Sequence, residues 1–347
     1  MANIMILKDN FASSRLTYFL VTIYISLLCG LSPSHAGHQH SHTETFSNPE
    51  SVAPVEKNWH SKKVKYDKRF KDADLVLSLG QQTHPLLEKL LAEYASERNL
   101  KIVLLHGTCG INSGRLLSKK VDIGAFCCPP GKNDRLPGMT FHSLGISPIA
   151  LIVHTKNPVL DISTAKARKI FQGKVSRWSE VEGAGPHFKE LIKPVGRLHC
   201  KIRPGHWRTL LSNENQFSPR LFEVGVISDM ISQVARSTNA IGWEVPLMVD
   251  VYKDKGAVRM LKIDGHAPTD LNKLLTGKYP LYRSYSLTTW DNANPEKKKL
   301  ANDLVKYLRQ HIENISSDIA FIPPSKLKLA GWKFKGNELI GEPPHTD

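Results

Sequence analysis

The stretch that decides the fold is residues 74–105, DLVLSLGQQTHPLLEKLLAEYASERNLKIVLL. Its two ends, Asp74–Leu79 and Lys101–Leu105, are short apolar runs typical of buried strands. Between them Thr83 is a good helix cap and Pro85 suits a first helical turn. The apolar residues that follow recur on one helical face: Leu86, Leu87, Leu90, Leu91 and Tyr94. The stretch therefore predicts a strand, a helix and a second strand.

The next segment repeats this arrangement. The glycine-spaced loop His106–Gly114 opens a short predicted helix, and Val121–Phe126 is a third apolar run that ends at Cys127-Cys128. Strands alternating with helices predict a parallel sheet in an α/β protein. Ligands of such sheets bind beyond the carboxyl ends of the strands, where helix N-termini point. We therefore expect the three strand ends to converge on one cleft.

A basic stretch, Val195–Leu211, stands out further along the chain. It reads VGRLHCKIRPGHWRTLL and contains three arginines, one lysine, two histidines and one cysteine, with no carboxylate. Guanidinium groups suit oxyanions, whereas cysteine with histidine suits zinc or copper. A solvated basic loop with one structural cysteine is the third interpretation.

Length and charge limit the functional classes. With 347 residues and 41% apolar residues, the chain predicts two lobes or domains with real cores. The formal net charge of +15 implies an anionic partner. Nucleic acid is disfavoured, because the charges are spread along the chain rather than gathered into a stripe with aromatic residues.

The first 36 residues predict a secretory signal. Lys8 and Arg15 supply positive charge before the apolar run Leu16–Leu31. Ser34-His35-Ala36 is a small-x-small cleavage site. The mature protein is therefore expected to be periplasmic or secreted, without membrane insertion after cleavage. Domain boundaries are predicted as follows: 1–36 signal peptide, 37–72 His-rich flexible linker, 73–152 first part of lobe I, 153–250 lobe II, 251–325 return to lobe I, and 326–347 C-terminal tail.

The predicted signal cleavage decides how many cysteines the mature protein contains. Loss of the signal removes Cys29 and leaves four: Cys109, Cys127, Cys128 and Cys200. An even number in an oxidising compartment favours disulfides, with free thiols and metal ligands as alternatives.

The order of segments resembles the phosphate-binding periplasmic receptors of ABC transporters, from about Asp74 to Ile322. The most specific similarity is Asn157-Pro158 with the later run ARKIFQGK (167–174) and Trp178. The strand AIGW (240–243) and the segment GKYPLYR (277–283) resemble two further motifs of that family. The resemblance implies the type II periplasmic binding protein fold, an α/β fold of two lobes joined by crossing strands, with the ligand held between them.

The resemblance also implies ligand-binding positions. Carried over residue by residue, these are Thr83, His84, Thr108, Cys109, Gly110, Cys127, Cys128, Arg197, Lys201 and Arg203. Arg197 and Arg203 compete for the role of clamping the anion. The chain departs from the family by carrying cysteine and histidine where its members carry hydroxyl and carboxylate ligands. Ordinary phosphate is therefore in doubt as the ligand, since a thiol is a weak hydrogen-bond donor.

Two classes of function thus remain open. In the first, the protein is not an enzyme and needs no cofactor. It would bind a small anion such as phosphate and act with an ABC permease or another envelope partner. In the second, it is a metal-binding or redox module for zinc or copper, with ligands drawn from Cys109, Cys127, Cys128, His199, Cys200 and His206.

Overall fold

The computed structural model describes residues 4–7, 45–198, 203 and 206–344. Its strands are β1 Ile4–Leu7, β2 Leu75–Gly80, β3 Ile102–Gly107, β4 Ile123–Phe126, β5 Met139–Pro148, β6 Ala150–His154, β7 Asp161–Ile162, β8 Lys193–Gly196, β9 Phe222–Glu223, β10 Ala240–Glu244, β11 Val258–Met260, β12 Lys262–Ile263, β13 Tyr282–Trp290, β14 Lys333–Lys335 and β15 Glu338–Gly341. Its helices are α1 Thr83–Glu97, α2 Cys109–Leu117, α3 Thr164–Phe171, α4 Ile227–Ala235, α5 Pro246–Val251, α6 Leu271–Leu275, α7 Pro295–Ile315 and α8 Pro324–Leu329.

The first sheet has six strands in the order β1-β3-β2-β4-β13-β5. β2 pairs in parallel with both β3 and β4, and β13 runs antiparallel to β4 and β5. Every residue of β2 is buried, as expected for a parallel strand covered on both faces. The strand, helix and strand predicted for residues 74–105 are therefore present.

Both faces of this sheet are covered. α1 and α7 pack on one face and contribute to a core that includes Leu77, Leu91 and Leu308. The other face packs against Leu116 of α2 and against Trp59 and Phe70 from the segment that precedes β2.

The second sheet has five strands in the order β11-β6-β10-β8-β9. α3 and α4 contribute to its core, where Phe171 and Trp243 make an edge-to-face contact. Ser163 caps α3, since its side chain accepts a hydrogen bond from the Lys166 N–H at 3.1 Å. This sheet starts at Ala150 and takes in β11 to Met260, so it extends beyond both ends of the predicted 153–250 segment.

The structure differs from the prediction of a flexible linker at 37–72 in the part that it describes. Ala53, Trp59 and Phe70 are buried, and Trp59 donates a hydrogen bond to the Leu117 carbonyl at 2.6 Å. The Lys119 ammonium lies 3.6 Å from the Trp290 ring centroid and 4.5 Å from that of Trp59. The segment has no apolar periodicity that would predict a helix or strand, but its few apolar side chains dock onto the first sheet.

The segment predicted as a C-terminal tail is also folded. α8 and the β14–β15 hairpin pack on the body, with Trp332 against Tyr282 and Glu338 in an ion pair with Arg135 at 2.6 Å. At the other end of the chain, the predicted signal lies largely outside the described residues. Its only described part, β1, pairs in parallel with β3.

Candidate functional site

Three strand ends meet at one edge of the first sheet. β2 and β3 end side by side, with Gly80 opposite Gly107 in the register, and β4 lies on the other side of β2. α1 begins three residues after β2 ends, and α2 begins two residues after β3 ends. Thr108 caps α2, since its hydroxyl accepts a hydrogen bond from the Ile111 N–H at 3.4 Å. This places the N–H groups at both helix N-termini on the same edge as Cys127 and Cys128.

Thr83 and His84 do not present their side chains as the resemblance implies. The Thr83 hydroxyl is buried and accepts a hydrogen bond from the Gly80 N–H at 2.8 Å. His84 is buried as well, with its ring centroid 3.6 Å from that of His106 and its Nδ1 3.5 Å from a Glu88 carboxylate oxygen. Thr83 thus stabilises the turn between β2 and α1 and does not cap the helix as predicted, since Gln82 is the N-cap residue of α1. The His84 ring packs against His106 and faces Glu88 one turn further along α1.

The thiols of Cys109 and Cys127 lie against each other. Their Sγ atoms are 3.6 Å apart, and both residues are buried. The hydrogen bond with Cys109 and the burial of the site raise the pKa of the Cys127 thiol, while Cys128 and Arg283 oppose that shift. The Arg283 guanidinium donates from Nη1 to Cys127 Sγ at 3.2 Å and to the Cys127 carbonyl at 3.4 Å. The site thus combines thiols with a buried cation.

The three described cysteines, Cys109, Cys127 and Cys128, are free thiols. The Cys109–Cys127 separation of 3.6 Å exceeds a disulfide bond, for which about 2.05 Å is required. The predicted disulfides are therefore not formed among these three residues, and Cys200 lies outside the described residues.

Arg197, one of the two predicted clamps, is bound internally. Its Nη1 donates to a Glu244 carboxylate oxygen at 2.8 Å, and its Nη2 donates to Gln81 Oε1 at 3.3 Å. Only 2% of Arg197 and 1% of Glu244 is exposed, so this ion pair is shielded from solvent.

Arg203, the other predicted clamp, is also bound to a carboxylate. Its Nε and Nη2 donate to the two Asp134 carboxylate oxygens at 2.6 and 2.7 Å, a fork geometry that suits a carboxylate. The same Nη2 donates to the Ser113 hydroxyl, which itself donates to Asp134 at 2.7 Å. Asp134 ends a single 3₁₀ turn in the first lobe, so this contact joins the segment after β8 to lobe I.

A second set of buried contacts joins the lobes. Gln82 donates from Nε2 to Glu244 Oε1 at 2.5 Å, and its Oε1 accepts from the Tyr285 hydroxyl at 3.2 Å. Gln81 Oε1 also accepts from the Ile227 N–H at 3.3 Å, at the start of α4. The strand ends of lobe I therefore contact β10 and α4 of lobe II through polar side chains.

The charges of this region do not balance. Three buried arginines, Arg197, Arg203 and Arg283, lie here with two buried carboxylates, Asp134 and Glu244. Each carboxylate forms an ion pair with one arginine. Arg283 contacts a thiol and a carbonyl instead, and its Nε has no hydrogen-bond partner among the described residues.

Reasoning from the sequence missed several of these residues. Asp134, Ser113, Gln82 and Glu244 carried no motif signal as ligands or partners. Arg283 does lie in the GKYPLYR segment (277–283) that resembles a family motif. That similarity was the sequence signal for Arg283, and the pairing of β13 with β4 brings it beside the strand ends.

Open space lies next to the Arg203–Asp134 pair. A cavity of about 340 Å³ is lined by Gly110, Ser113, Phe126, Asp134 and Arg203 among others. Gly110, a predicted ligand residue, is exposed there at the start of α2.

The remaining predicted ligands lie outside the described residues. These are His199, Cys200 and Lys201, together with the side chain of His206, whose backbone starts a 3₁₀ helix at His206–Thr209. Within the described part of the chain, no group of three or more His, Cys, Asp or Glu residues is arranged to hold a metal ion.

Two α/β lobes with polar strand ends between them define the type II periplasmic binding protein fold, and solved structures confirm it. An ABC-type phosphate transport receptor from Vibrio cholerae matches 72% of this chain and 100% of its own, with a TM-score of 0.57 and 16% identity. A phosphate ABC transporter substrate-binding protein from Clostridium perfringens, solved with bound phosphate, matches 72% of this chain and 98% of its own, with a TM-score of 0.60 and 18% identity.

Sequence comparison gives the same class of relative. Protein SphX of Synechococcus elongatus is 23% identical over 296 residues, which is 77% of this chain and 86% of SphX. Phosphate-binding protein PstS 2 of Streptococcus agalactiae is 26% identical over 135 residues, 37% of this chain and 45% of that protein. No family model matches the sequence. The chain is thus similar to phosphate-binding receptors of ABC transporters, which are not enzymes.

In the part of the chain that the structure describes, no helix combines the length and the apolar character needed to cross a bilayer.

Proposed function

We propose that the chain is an exported solute-binding receptor that holds a small oxyanion between its two lobes and presents it to an ABC permease. The observation that carries this proposal is Arg283, which is 1% exposed and has no carboxylate partner among the described residues. Burying a cation without a counter-charge costs free energy, and an anion between the lobes would offset that cost.

The surroundings of Arg283 support an anion rather than a cation. The N-termini of α1 and α2 lie on the same edge of the sheet and present N–H groups with partial positive charge. Access would require the lobes to separate, because Arg283 and its neighbour Cys127 are buried in this closed arrangement. A hinge motion of the two lobes would provide such access.

Binding of phosphate and sulfate, measured by isothermal titration calorimetry at neutral pH, tests the proposal. We expect one phosphate per chain and at least tenfold weaker binding for Arg283→Lys. A hydrogen bond to a charged group contributes about 1.5–3 kcal/mol, and about 1.4 kcal/mol corresponds to a tenfold change in affinity.

Arg135→Lys is the matched control. Arg135 is also a buried arginine, but its guanidinium donates to Glu338 at 2.6 Å and to Ser47 rather than to Cys127. The control should leave affinity unchanged. Absence of oxyanion binding in the unmodified protein, or equal affinity for Arg283→Lys, would overturn the proposal. Export would be checked separately, by N-terminal analysis of the mature protein, which should begin near Gly37.

A further inference from the structure

The thiol pair beside Arg283 has the spacing of two ligands on one central atom. The Cys109 and Cys127 sulfurs are 3.6 Å apart. Two sulfurs bound at about 2.3 Å to a tetrahedral centre lie about 3.8 Å from each other, as the geometry of zinc thiolates requires. The pair can therefore bridge one thiophilic atom with little movement of either cysteine.

The number of other ligands near the two sulfurs indicates which kind of thiophilic atom could bind between them. A structural zinc ion takes four protein ligands, whereas the described residues offer no group of three His, Cys, Asp or Glu side chains around a common point. A trivalent oxyacid such as arsenite, As(OH)₃, needs only two sulfurs, because it keeps a hydroxyl group of its own as the third ligand. Two thiols, with an oxygen ligand that the oxyacid brings itself, complete three-coordinate arsenic, whereas a structural zinc ion needs more protein ligands than the described residues group around one point.

Arg283 supplies the complementary contact for oxygen. Its Nη1 lies 3.2 Å from Cys127 Sγ, and its Nε has no partner among the described residues. A hydroxyl group on an atom bound to Cys127 would come within reach of this guanidinium. The same cation stabilises the Cys127 thiolate that forms transiently while a sulfur attacks.

We infer that the inter-lobe site takes a thiophilic trivalent oxyacid, with arsenite as its probe, by condensation with Cys109 and Cys127. This inference rests on the proposed function, since it assigns a ligand class to the same site. Each thiol forms one As–S bond and loses its proton, and each proton leaves with one arsenic hydroxide as water. The balance is As(OH)₃ + 2 RSH → (RS)₂AsOH + 2 H₂O, with no change of oxidation state.

The bound state suits the burial of the site. Both thiols are buried, and each loses its proton as part of a water molecule, so that no free thiolate has to be buried. The oxygen that stays on arsenic is the group that Arg283 would contact. Thiols that replace hydroxyl groups weaken hydrogen bonding to phosphate. The same thiols are what the trivalent oxyacid requires.

The test uses the full-length mature protein, reduced and then freed of reductant without oxygen. Arsenite and phosphate binding are measured for the unmodified protein, Cys109→Ser and Cys127→Ser, by elemental analysis after gel filtration and by calorimetry. We expect one arsenic per chain, protection of two thiols from alkylation, and at least a hundredfold loss of arsenite affinity in either serine variant. Ser61→Ala, at an exposed hydroxyl that donates to the Asn58 carbonyl, is the control and should keep the arsenite affinity of the unmodified protein. Circular dichroism checks that both serine variants are folded.

The outcomes separate this inference from the proposed function. Phosphate binding without arsenite binding overturns the inference and leaves the oxyanion receptor standing. Arsenite binding that survives both serine substitutions also overturns it. Arsenite bound through the two thiols by a chain that binds no phosphate supports the thiol site and removes phosphate as the ligand. A Cys109–Cys127 disulfide that resists reduction in the isolated protein would overturn the inference too.

Discussion

Arg203 and Arg283 are two buried guanidinium groups near the same strand ends, and they have opposite environments. Arg203 is held by both oxygens of Asp134 and by Ser113. Arg283 faces a thiol and a backbone carbonyl. The first arginine is neutralised within the protein, whereas the second keeps its charge without a carboxylate partner in the described part of the chain.

This difference separates structural roles from binding roles. A neutralised pair that joins the two lobes stabilises their closed arrangement, because the hydrogen bonds and the charges are both satisfied. An arginine without a carboxylate attracts an anion from outside. Arg203 therefore holds the lobes together, and we assign the contact with the anion to Arg283.

Removal of the carboxylate from the Arg203–Asp134 pair should have the largest effect on the free energy of unfolding. Asp134→Ala leaves the Arg203 guanidinium buried without its partner, and we expect a loss of about 3–5 kcal/mol in the free energy of unfolding. Urea unfolding followed by circular dichroism at neutral pH measures it.

The double variant Asp134→Ala/Arg203→Met is the control for this experiment. Because it removes the uncompensated charge as well, it should recover a substantial part of the lost stability. Equal stability of the unmodified protein and Asp134→Ala would mean that the pair does not form in solution, and the contrast with Arg283 would then disappear.

His142 is a buried basic side chain that, unlike the two arginines, can give up its charge by losing a proton. His142 of β5 is 8% exposed, and its Nε2 lies 2.8 Å from the Thr289 hydroxyl. Burial, helped by Arg309 and opposed by Asp291, lowers the pKa of His142 to about 4. The folded state thus binds this proton less readily than the unfolded state, whose histidine has a pKa near 6.5.

The sign of the pH effect follows from this. The contribution of neutral His142 is fully present above about pH 6.5 and is lost as the pH falls toward 4, by about 2–3 kcal/mol. Urea unfolding at pH 7, 5.5 and 4 should show a steeper loss for the unmodified protein than for His142→Gln. Parallel pH profiles would indicate that the imidazole is already protonated, or solvated, in the folded state.

The smallest expected effect concerns the hydroxyl that supports the Arg203–Asp134 pair. Ser113→Ala removes a donor to Asp134 and an acceptor for Arg203, and we expect a loss of about 1 kcal/mol in the free energy of unfolding. Ser61→Ala is the matched control, since that exposed hydroxyl donates only to the Asn58 carbonyl and a surface change should stay within about 0.5 kcal/mol.

The effect of Ser113→Ala should differ between the unmodified and the Asp134→Ala backgrounds, because Ser113 and Asp134 both contact Arg203. An equal loss in both backgrounds would show that Ser113 stabilises α2 independently of the pair.

Much of the fold could be predicted because its signals are local. The apolar runs of β2, β3 and β4 and the apolar face of α1 depend on neighbours a few residues away. The docking of Trp59 and Trp332 could not be predicted in this way, since their partners lie far away in sequence.

The sequence by itself determined the α/β class, the two-lobed order of segments and the gathering of cysteines at the strand ends. In a parallel sheet the backbone topology alone brings the carboxyl ends of the strands to one edge, independently of the side chains there. Only the tertiary structure decided which of the three buried arginines has no carboxylate partner in the described part of the chain. Asp134 and Glu244 lie 69 and 47 residues from the arginines that they neutralise, and no local pattern encodes a pairing over such distances. Arg283 differs from Arg197 and Arg203 because of its three-dimensional neighbours, a thiol and a carbonyl, rather than because of its own chemistry.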